Sequence, residues 1–413
     1  MKQMVKVATL LSLSAATLLA SGYRIPEQSL NSTALSAAYV ANANGADASY
    51  YNPANMALMG GGAEIEGAFT YINLPKVKYT DTLPAVAGLN GDSKEEQFFV
   101  PTFHYVSPMM GDWRYGLSIV APGGLSKRWD EKYGKATAEE FTLKVIEVNP
   151  TASYKINDQF AVGFGVRGVY TDGIVKSDAR DMNASSIARN LTGDSIDFGY
   201  NLAVSYKPEK DITLAATYRS KVDLTVKGNA DLYSGSVKAY DNIGASVTIP
   251  LPASLALSAA YTIDKTTVEF VFERTYWSSY ENLDFNYDRS IGGLIPYFDT
   301  AKPKNWKDVN AYRIGVTHQY TDALKLMAGF AIDKNPAPDS TLGFELPDSD
   351  AKLYSLGFEY KLDKQMSFGL SYLYDDKESR TVANRTSPTL TAPNGTFTDA
   401  AAHLVTASFK YKF

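Results

Sequence analysis

The chain has 413 residues and no cysteine, which excludes disulfide scaffolds, thiol nucleophiles and thiolate metal sites. A formal net charge of -5 speaks against a polyanion partner, so no nucleic acid is expected. The 28 Tyr and 19 Phe supply much aromatic surface, yet no apolar run beyond the leader reaches the roughly 18 residues that a membrane-spanning helix needs.

The first stretch is "MKQMVKVATLLSLSAATLLASGYR". Lys2 and Lys6 form a basic start, Val7 to Leu19 is apolar, and Ala20 offers a small residue for cleavage. Residues 1–20 therefore read as a secretory signal peptide. Without its two lysines the mature chain carries -7. Residues 21–60 follow without strand alternation. Within them, "DASYYNPANMALM" places Asn52 to cap a helix and Pro53 in its first turn, with Asp47 adding a polar contact.

From Gly61 onward the period is two. In "FAVGFGVRGVY" one face reads Phe160, Val162, Phe164, Val166, Gly168, Tyr170, and the other Ala161, Gly163, Gly165, Arg167, Val169. Fourteen such segments are expected, at 61–80, 95–110, 113–122, 139–157, 160–179, 195–209, 212–229, 240–263, 265–287, 304–322, 323–334, 350–363, 365–382 and 397–413. Short polar turns such as "MMGD", "KINDQ" and "KLDKQ" alternate with long loops such as Asp81 to Lys94, Gly123 to Ala138 and Arg289 to Lys304. An even strand number with short turns on one side and long loops on the other predicts an all-β fold, a closed antiparallel transmembrane barrel (residues 61–413). The location follows: a multi-pass protein of the Gram-negative cell outer membrane, in contact with outer-membrane lipid. "ASFKYKF" puts Phe409, Tyr411 and Phe413 on one face, as in the assembly signal read by the barrel assembly machinery.

Candidate chemistry is sparse. The three histidines, His104, His318 and His403, stand beside no nucleophile and form no ligand cluster, so neither an enzyme, a metal nor a cofactor is expected. "PDSD", Pro347 to Asp350, reads as a polar turn before it reads as a calcium site. By parity with their apolar neighbours, Arg167, Arg219 and Arg313 point into the lumen. A mutual salt-bridge network is the favoured reading for them, and contact with a ligand carboxylate the other. The loop "GGLSKRWDEKYGKATAEEF" has helical composition and suits either a lid on the outer mouth or a solvated excursion.

Taken in order, these segments resemble the FadL/TodX-type (OmpP1/FadL) outer-membrane transporters of hydrophobic compounds. "SGYRIPEQSLNSTALSAAYVANANGADASYYNPANM" is similar to that family's N-terminal hatch. "FVPTFHYV" and "YGLSIVAPGG" resemble its second and third strands, "VTIPLPASLALSAAY" its Leu-Pro strand entry, and "VEFVFERTYWSSYENLDF" its strand with a central Trp, here Trp277. The most specific match is Met327 to Tyr374, with Pro-x-Pro-Asp and Leu-Pro-Asp-x-Asp in place; Met327 departs from a frequent arginine. The resemblance implies a monomeric barrel of 14 strands, plugged by a hatch (21–60) that carries Asp47, Asn52, Pro53 and Ala54. It implies passive uptake of a hydrophobic small molecule, a long-chain fatty acid or a hydrocarbon. It also implies release through a lateral opening at an inward kink of the third strand, for which Ala121, Pro122, Gly123 and Gly124 are the candidates, although such a cluster also simply ends strands. The rival reading is a general diffusion porin with an open, charged lumen.

Overall fold

The computed structural model describes residues 22–83, 89–182, 186–385 and 392–413; the leader lies outside them. The period-two segments pair antiparallel in sequence order. They form β1 (Glu64–Leu74), β2 (Glu96–Val106), β3 (Trp113–Arg128), β4 (Glu140–Lys155), β5 (Phe160–Asp178) and β6 (Ile187–Glu209). Then come β7 (Ile212–Arg219, resuming as Val222–Ser234), β8 (Val237–Leu251, resuming as Ser254–Ile263) and β9 (Thr266–Thr275). The ring continues with β10 (Val309–Gln319), β11 (Leu324–Asp333), β12 (Ala351–Lys361), β13 (Met366–Lys377) and β14 (Ala401–Lys412). β14 pairs back onto β1, from Glu64 opposite Lys412 to Asn73 opposite His403, so the 14 strands close. Closure is what lipid demands, because unpaired backbone groups find no partner in hydrocarbon.

Alternation sets the two faces. On β6 the outward Ile196 and Phe198 are 67% and 72% exposed, the lipid-facing belt of a barrel. The inward neighbours on β5, Ala161, Arg167 and Val169, are buried.

The lumen has two halves. Its periplasmic half, on the side of the short turns, holds residues 22–62, which do not join the ring. They form α1 (Leu30–Ala34), α2 (Ala48–Tyr51) and α3 (Pro53–Met56). Ser29 caps α1 in a capping box with Ser32. Asn52 stands at the N-cap of α3 with Pro53 at its start, but makes no side-chain cap bond. Its amide instead donates to Val40 O (3.0 Å) and Ser205 Oγ (2.8 Å). The extracellular half is filled by apolar side chains and loops. Above it a four-stranded sheet forms from Lys78–Asp81, Gly91–Asp92, Arg380–Ala383 and Asn394–Thr398. Continuous segments expected at 61–80, 365–382 and 397–413 therefore break between barrel and outer sheet.

Three further boundaries differ from expectation. β6 begins at Ile187, above the lipid belt, rather than near 195. β9 ends at Thr275, and Trp277 sits in a short 3₁₀ turn, Trp277–Ser279, beyond the strand rather than in its centre. β3 runs on through the Ala-Pro-Gly-Gly cluster to Arg128 rather than stopping at Pro122.

Close packing of residues 22–62 on the wall depends on glycines. A Cβ at Gly163 would lie 2.5 Å from Ala54 N, and one at Gly329 would lie 2.1 Å from Leu35 C. Gly329→Val must displace the turn after α1 or strain the wall. We expect it to cost about 1–3 kcal/mol, read as a lowered unfolding midpoint in detergent; an unchanged midpoint would show that the contact is not tight.

Candidate functional site

Residues 22–62 are tied to inward side chains around the ring. Glu269 on β9 accepts backbone N–H bonds from Val40 (2.7 Å), Ala41 (2.6 Å) and Asn42 (3.2 Å). Ser36 Oγ meets Ser355 Oγ at 2.8 Å, and Thr33 Oγ1 meets Thr406 Oγ1 at 3.0 Å. Ser153 Oγ donates to Ala54 O (3.1 Å) while Ala57 N–H donates to Ser153 Oγ (3.2 Å). At the exit toward β1, buried Arg114 donates to the carbonyls of Met56 (3.0 Å), Met59 (2.9 Å) and Gly62 (2.7 Å). Ser36 and Ala37 take φ of 49° and 59°. Left-handed backbone costs these residues about 1–2 kcal/mol each, and Ser36 is held there by Ser355 and by Arg313, which donates to its carbonyl at 3.2 Å.

The wall is irregular between β2 and β3. Their ladder has four pairs only, Phe103–Ile119, His104–Ser118, Tyr105–Leu117 and Val106–Gly116. At Val120 to Gly123 the register of β3 on β4 shifts, which turns β3 inward. Its freed edge is then taken up by the N-terminal segment. Ile25 N–H donates to Pro122 O (2.9 Å) and Gly124 N–H to Tyr23 O (2.9 Å). The Gln28 side chain completes the zip: Ala121 N–H donates to its Oε1 (2.8 Å), and its Nε2 donates to Ala121 O (2.8 Å). Proline has no N–H to leave unpaired at the turning point. The gap closes above, where Lys94 N–H donates to Arg128 O (2.8 Å) and Arg128 Nε to Glu96 (2.7 Å).

Two cavities meet above the N-terminal segment. A groove of about 1520 Å³, counting space open to solvent, lies under the long loops. Phe141, Leu283, Phe285 and Phe298 line it, together with Arg189, Lys302 and Lys304. An inner pocket of about 410 Å³, counted the same way, is lined by Tyr23, Leu125, Leu143, Ile249 and Trp306. Phe141, Lys304, Leu342 and Glu345 border both. Lys304 and Glu345 form an ion pair at that border. Arg189 is buried with its guanidinium 3.9 Å over the Phe285 ring. Tyr23 packs edge-on against Trp277 at 4.7 Å, and Trp277 against Trp306 at 4.8 Å, so the "central" tryptophan of β9 instead backs Tyr23 and Trp306, which line the pocket.

The loop after β3 forms a short helix, α4 (Lys132–Ala138). Its Tyr133 is buried beside Tyr79 and Phe344, which both pack on Phe397 of the outer sheet. Arg385 Nη2 donates to Tyr133 OH (2.8 Å) and pairs with Asp81.

Arg167, Arg219 and Arg313 face inward. Arg167 (2.9 Å) and Arg219 both bind Glu147, and the Arg219 guanidinium lies 4.2 Å over the Tyr50 ring. Arg313 stands apart from them and pairs with Asp333 (3.0 Å). None of the three lines the groove or the pocket. Asp47 accepts from Tyr39 OH (3.0 Å) and Asn31 Nδ2 (3.1 Å). Asn52, Pro53 and Ala54 pack between β4, β5 and β6. Asp348 and Asp350 of "PDSD" bind Lys377 and Lys334. Phe409 and Phe413 are exposed on the outer face, with Tyr411 packed edge-on to Phe413 at 4.9 Å. Sequence reasoning passed over Gln28, Arg114, Arg189 and Lys304. A glutamine or a basic residue has no local periodicity that would single it out.

A closed barrel with an apolar outer belt and short turns at one end is the class of outer-membrane β-barrel proteins. The family model described as "Outer membrane protein transport protein (OMPP1/FadL/TodX)" matches residues 11–413, and the chain belongs to that family. It is 26% identical over 347 residues to the long-chain fatty acid transport protein of Escherichia coli K12, covering 73% of this chain and 76% of that protein. It is 24% identical to outer membrane protein P1 of Haemophilus influenzae, covering 76% and 75%. Among solved structures, a Pseudomonas aeruginosa FadL homologue superposes with a TM-score of 0.82 at 20% identity, over 95% of this chain and all (100%) of that one. The Pseudomonas putida toluene transporter TodX does so at 0.70 and 19%, over 95% and 99%. At that identity the structural likeness establishes the fold.

Two outcomes follow from these contacts. Glu147→Gln leaves two guanidinium groups without their buried carboxylate, and we expect a loss of about 3–5 kcal/mol in unfolding experiments; a loss below 1 kcal/mol would mean that water replaces it. Burial opposes ionisation of Asp81, but Arg385 outweighs it and holds the carboxyl below its usual range. A carboxylate with a lowered folded-state pKa stabilises above its unfolded value of about 3.9 and loses that contribution as pH falls through the folded value. Asp81→Asn should therefore lower the unfolding midpoint at pH ~7 and flatten its fall in acid. Identical acid limbs in both proteins would count against this lock.

Proposed function

We propose that the protein is a passive outer-membrane channel for hydrophobic small molecules, captured in the outer groove, passed to the inner pocket and released sideways through the gap between β2 and β3. One observation carries this reading. An apolar groove opens onto an apolar pocket, directly above a lumen that residues 22–62 occupy. A water-filled porin needs the opposite, an open polar lumen. Each buried methylene contributes about 0.8 kcal/mol, so even the smaller cavity can hold an alkyl chain firmly.

Among hydrophobic substrates, long-chain fatty acids fit best. Arg189, Lys302 and Lys304 put three cations, against the one carboxylate of Glu345, among the aromatic rings of the groove, a pattern that favours an apolar tail with an anionic head. The similarity to a long-chain fatty acid transport protein supports this choice, and the fold shared with a toluene transporter leaves it to the cations to decide.

In this reading residues 21–60 are the hatch, with Asp47, Asn52, Pro53 and Ala54 holding its shape, and 61–413 the barrel. Ala121 to Gly124 are the kink that opens the wall. Arg167, Arg219 and Arg313 anchor the hatch rather than meet the substrate. Phe409, Tyr411 and Phe413 serve recognition by the barrel assembly machinery, and the protein works as a monomer.

Cells lacking the protein are expected to take up long-chain fatty acid more slowly, with uptake restored by the intact gene. Equal uptake with and without it would overturn the transport reading. Removing mature residues up to Met59 should open the barrel to small ions, seen as a higher single-channel conductance; unchanged conductance would mean that the segment is not a plug.

A further inference from the structure

The wall has a second irregular place, in the upper parts of β7 and β8. Val222 to Thr225 pair with Leu251 to Thr248, residue for residue. Among the described residues, neither long side of this two-stranded panel has a ladder partner. On one side the ladder of β6 on β7 stops at Asn201–Arg219 and resumes only at Asp194–Lys227. On the other side β8 pairs with Phe285–Tyr287 through Ala245 to Val247, and is next laddered at Ser254, on Thr275. The panel is thus held above and below but not along its sides. Side chains close the seam toward β6 instead. The Asp197 carboxylate accepts from Thr225 N–H (3.1 Å) and Ser195 Oγ (2.7 Å), and Ser220 Oγ accepts from Tyr200 N–H (2.9 Å).

The two faces of the panel differ. Inward, Val222, Leu224, Ile249 and Leu251 are buried, and Ile249 lines the inner pocket. A Cβ at Gly123 of the kink would lie 3.2 Å from Leu251 Cδ1, and Tyr23 OH donates to Pro250 O (2.5 Å). The panel therefore closes at once on the pocket, on the kink and on the N-terminal segment. Outward, Lys221 and Asp223 form an exposed ion pair (2.9 Å), and Thr225 and Thr248 share their face. Such a face suits head groups and water rather than hydrocarbon. Water can satisfy backbone groups there when the sides part, which lipid could not do.

We propose that this panel is the wall of the inner pocket that yields, bowing outward as an alkyl chain enters. The proposal rests on the uptake reading above and adds the moving part that filling the pocket requires. Leu125 and Leu143, the pocket residues on β3 and β4, face each other in a continuous ladder, and a close-packed interior does not stretch there. Bowing also draws Pro250 away from Tyr23, whose own carbonyl holds Gly124 N–H of the kink. Filling the pocket thereby loosens the pairing that seals the gap between β2 and β3.

The chain has no cysteine, so an introduced pair reports alone. A Cβ at Gly199 on β6 would lie 2.7 Å from Val222 Cγ2, which suits a disulfide between Gly199→Cys and Val222→Cys across the seam. Uptake of radiolabelled hexadecanoic acid is measured in cells that lack their own transporter, with this double variant first oxidised and then reduced. A bridge that fits the resting wall slows transport only if the wall has to part. The oxidised form is expected to be about tenfold slower than the reduced form of the same protein. Each single variant should be indifferent to the oxidant. Equal rates in the bridged and the reduced protein overturn the panel, and leave the loop 337–346 as the wall that gives way. If the wild type does not speed uptake at all, the uptake reading itself fails, which is a different outcome. A measurement on the wild type is independent of whether the variant folds or bridges. In crystals grown with dodecanoic acid, the panel should stand farther from Leu125 and Leu143 than in crystals grown without it. A panel in the same place with the acid in the inner pocket also overturns the proposal.

Discussion

The pairing of one strand edge governs much of this molecule. In hydrocarbon, backbone groups without partners cost several kcal/mol each, so a membrane barrel cannot simply leave its wall open. β3 nevertheless leaves β2 after four ladder pairs. It does so because it turns inward, out of lipid, and finds a substitute partner in residues 23–28. The N-terminal segment is thus half of a strand pairing, and the irregular wall and the occupied lumen are one arrangement. Moving either would expose the other.

The same logic divides the lumen. Below, inward side chains are serine, threonine, glutamate and arginine, and they satisfy a segment with little regular structure of its own. Glu269 alone takes three backbone N–H groups. Above, the inward faces of β7 and β8 turn apolar, with Val222, Leu224, Val226, Val247 and Ile249 buried there. Both strands break at that boundary, at 220–221 and at 252–253. A polar floor that grips backbone and an apolar chamber thereby stack along one axis.

Much of this was legible in the sequence, and the misses have identifiable causes. The order of the strands, the turns between them and the inward parity of Arg167, Arg219 and Arg313 follow from local alternation, which a closed sheet preserves. Pro53 at the start of a helix was legible for the same local reason, whereas the cap bond expected of Asn52 does not form, because Val40 and Ser205 take its amide. Ala121 to Gly124 could end a strand or bend one. Only a partner nearly a hundred residues earlier decides that it bends. The family resemblance puts Trp277 mid-strand, but its ring is drawn off the ladder by Tyr23 and Trp306.

What the sequence determined by itself is a barrel: export, strand number, which residues meet lipid and which meet the lumen. Each of these rests on a period of two or on composition, properties of short windows that tertiary contacts reinforce. What only the tertiary structure decided is the path. The groove, the pocket and the gap in the wall are made of residues from opposite ends of the chain, and no local pattern encodes which of them meet.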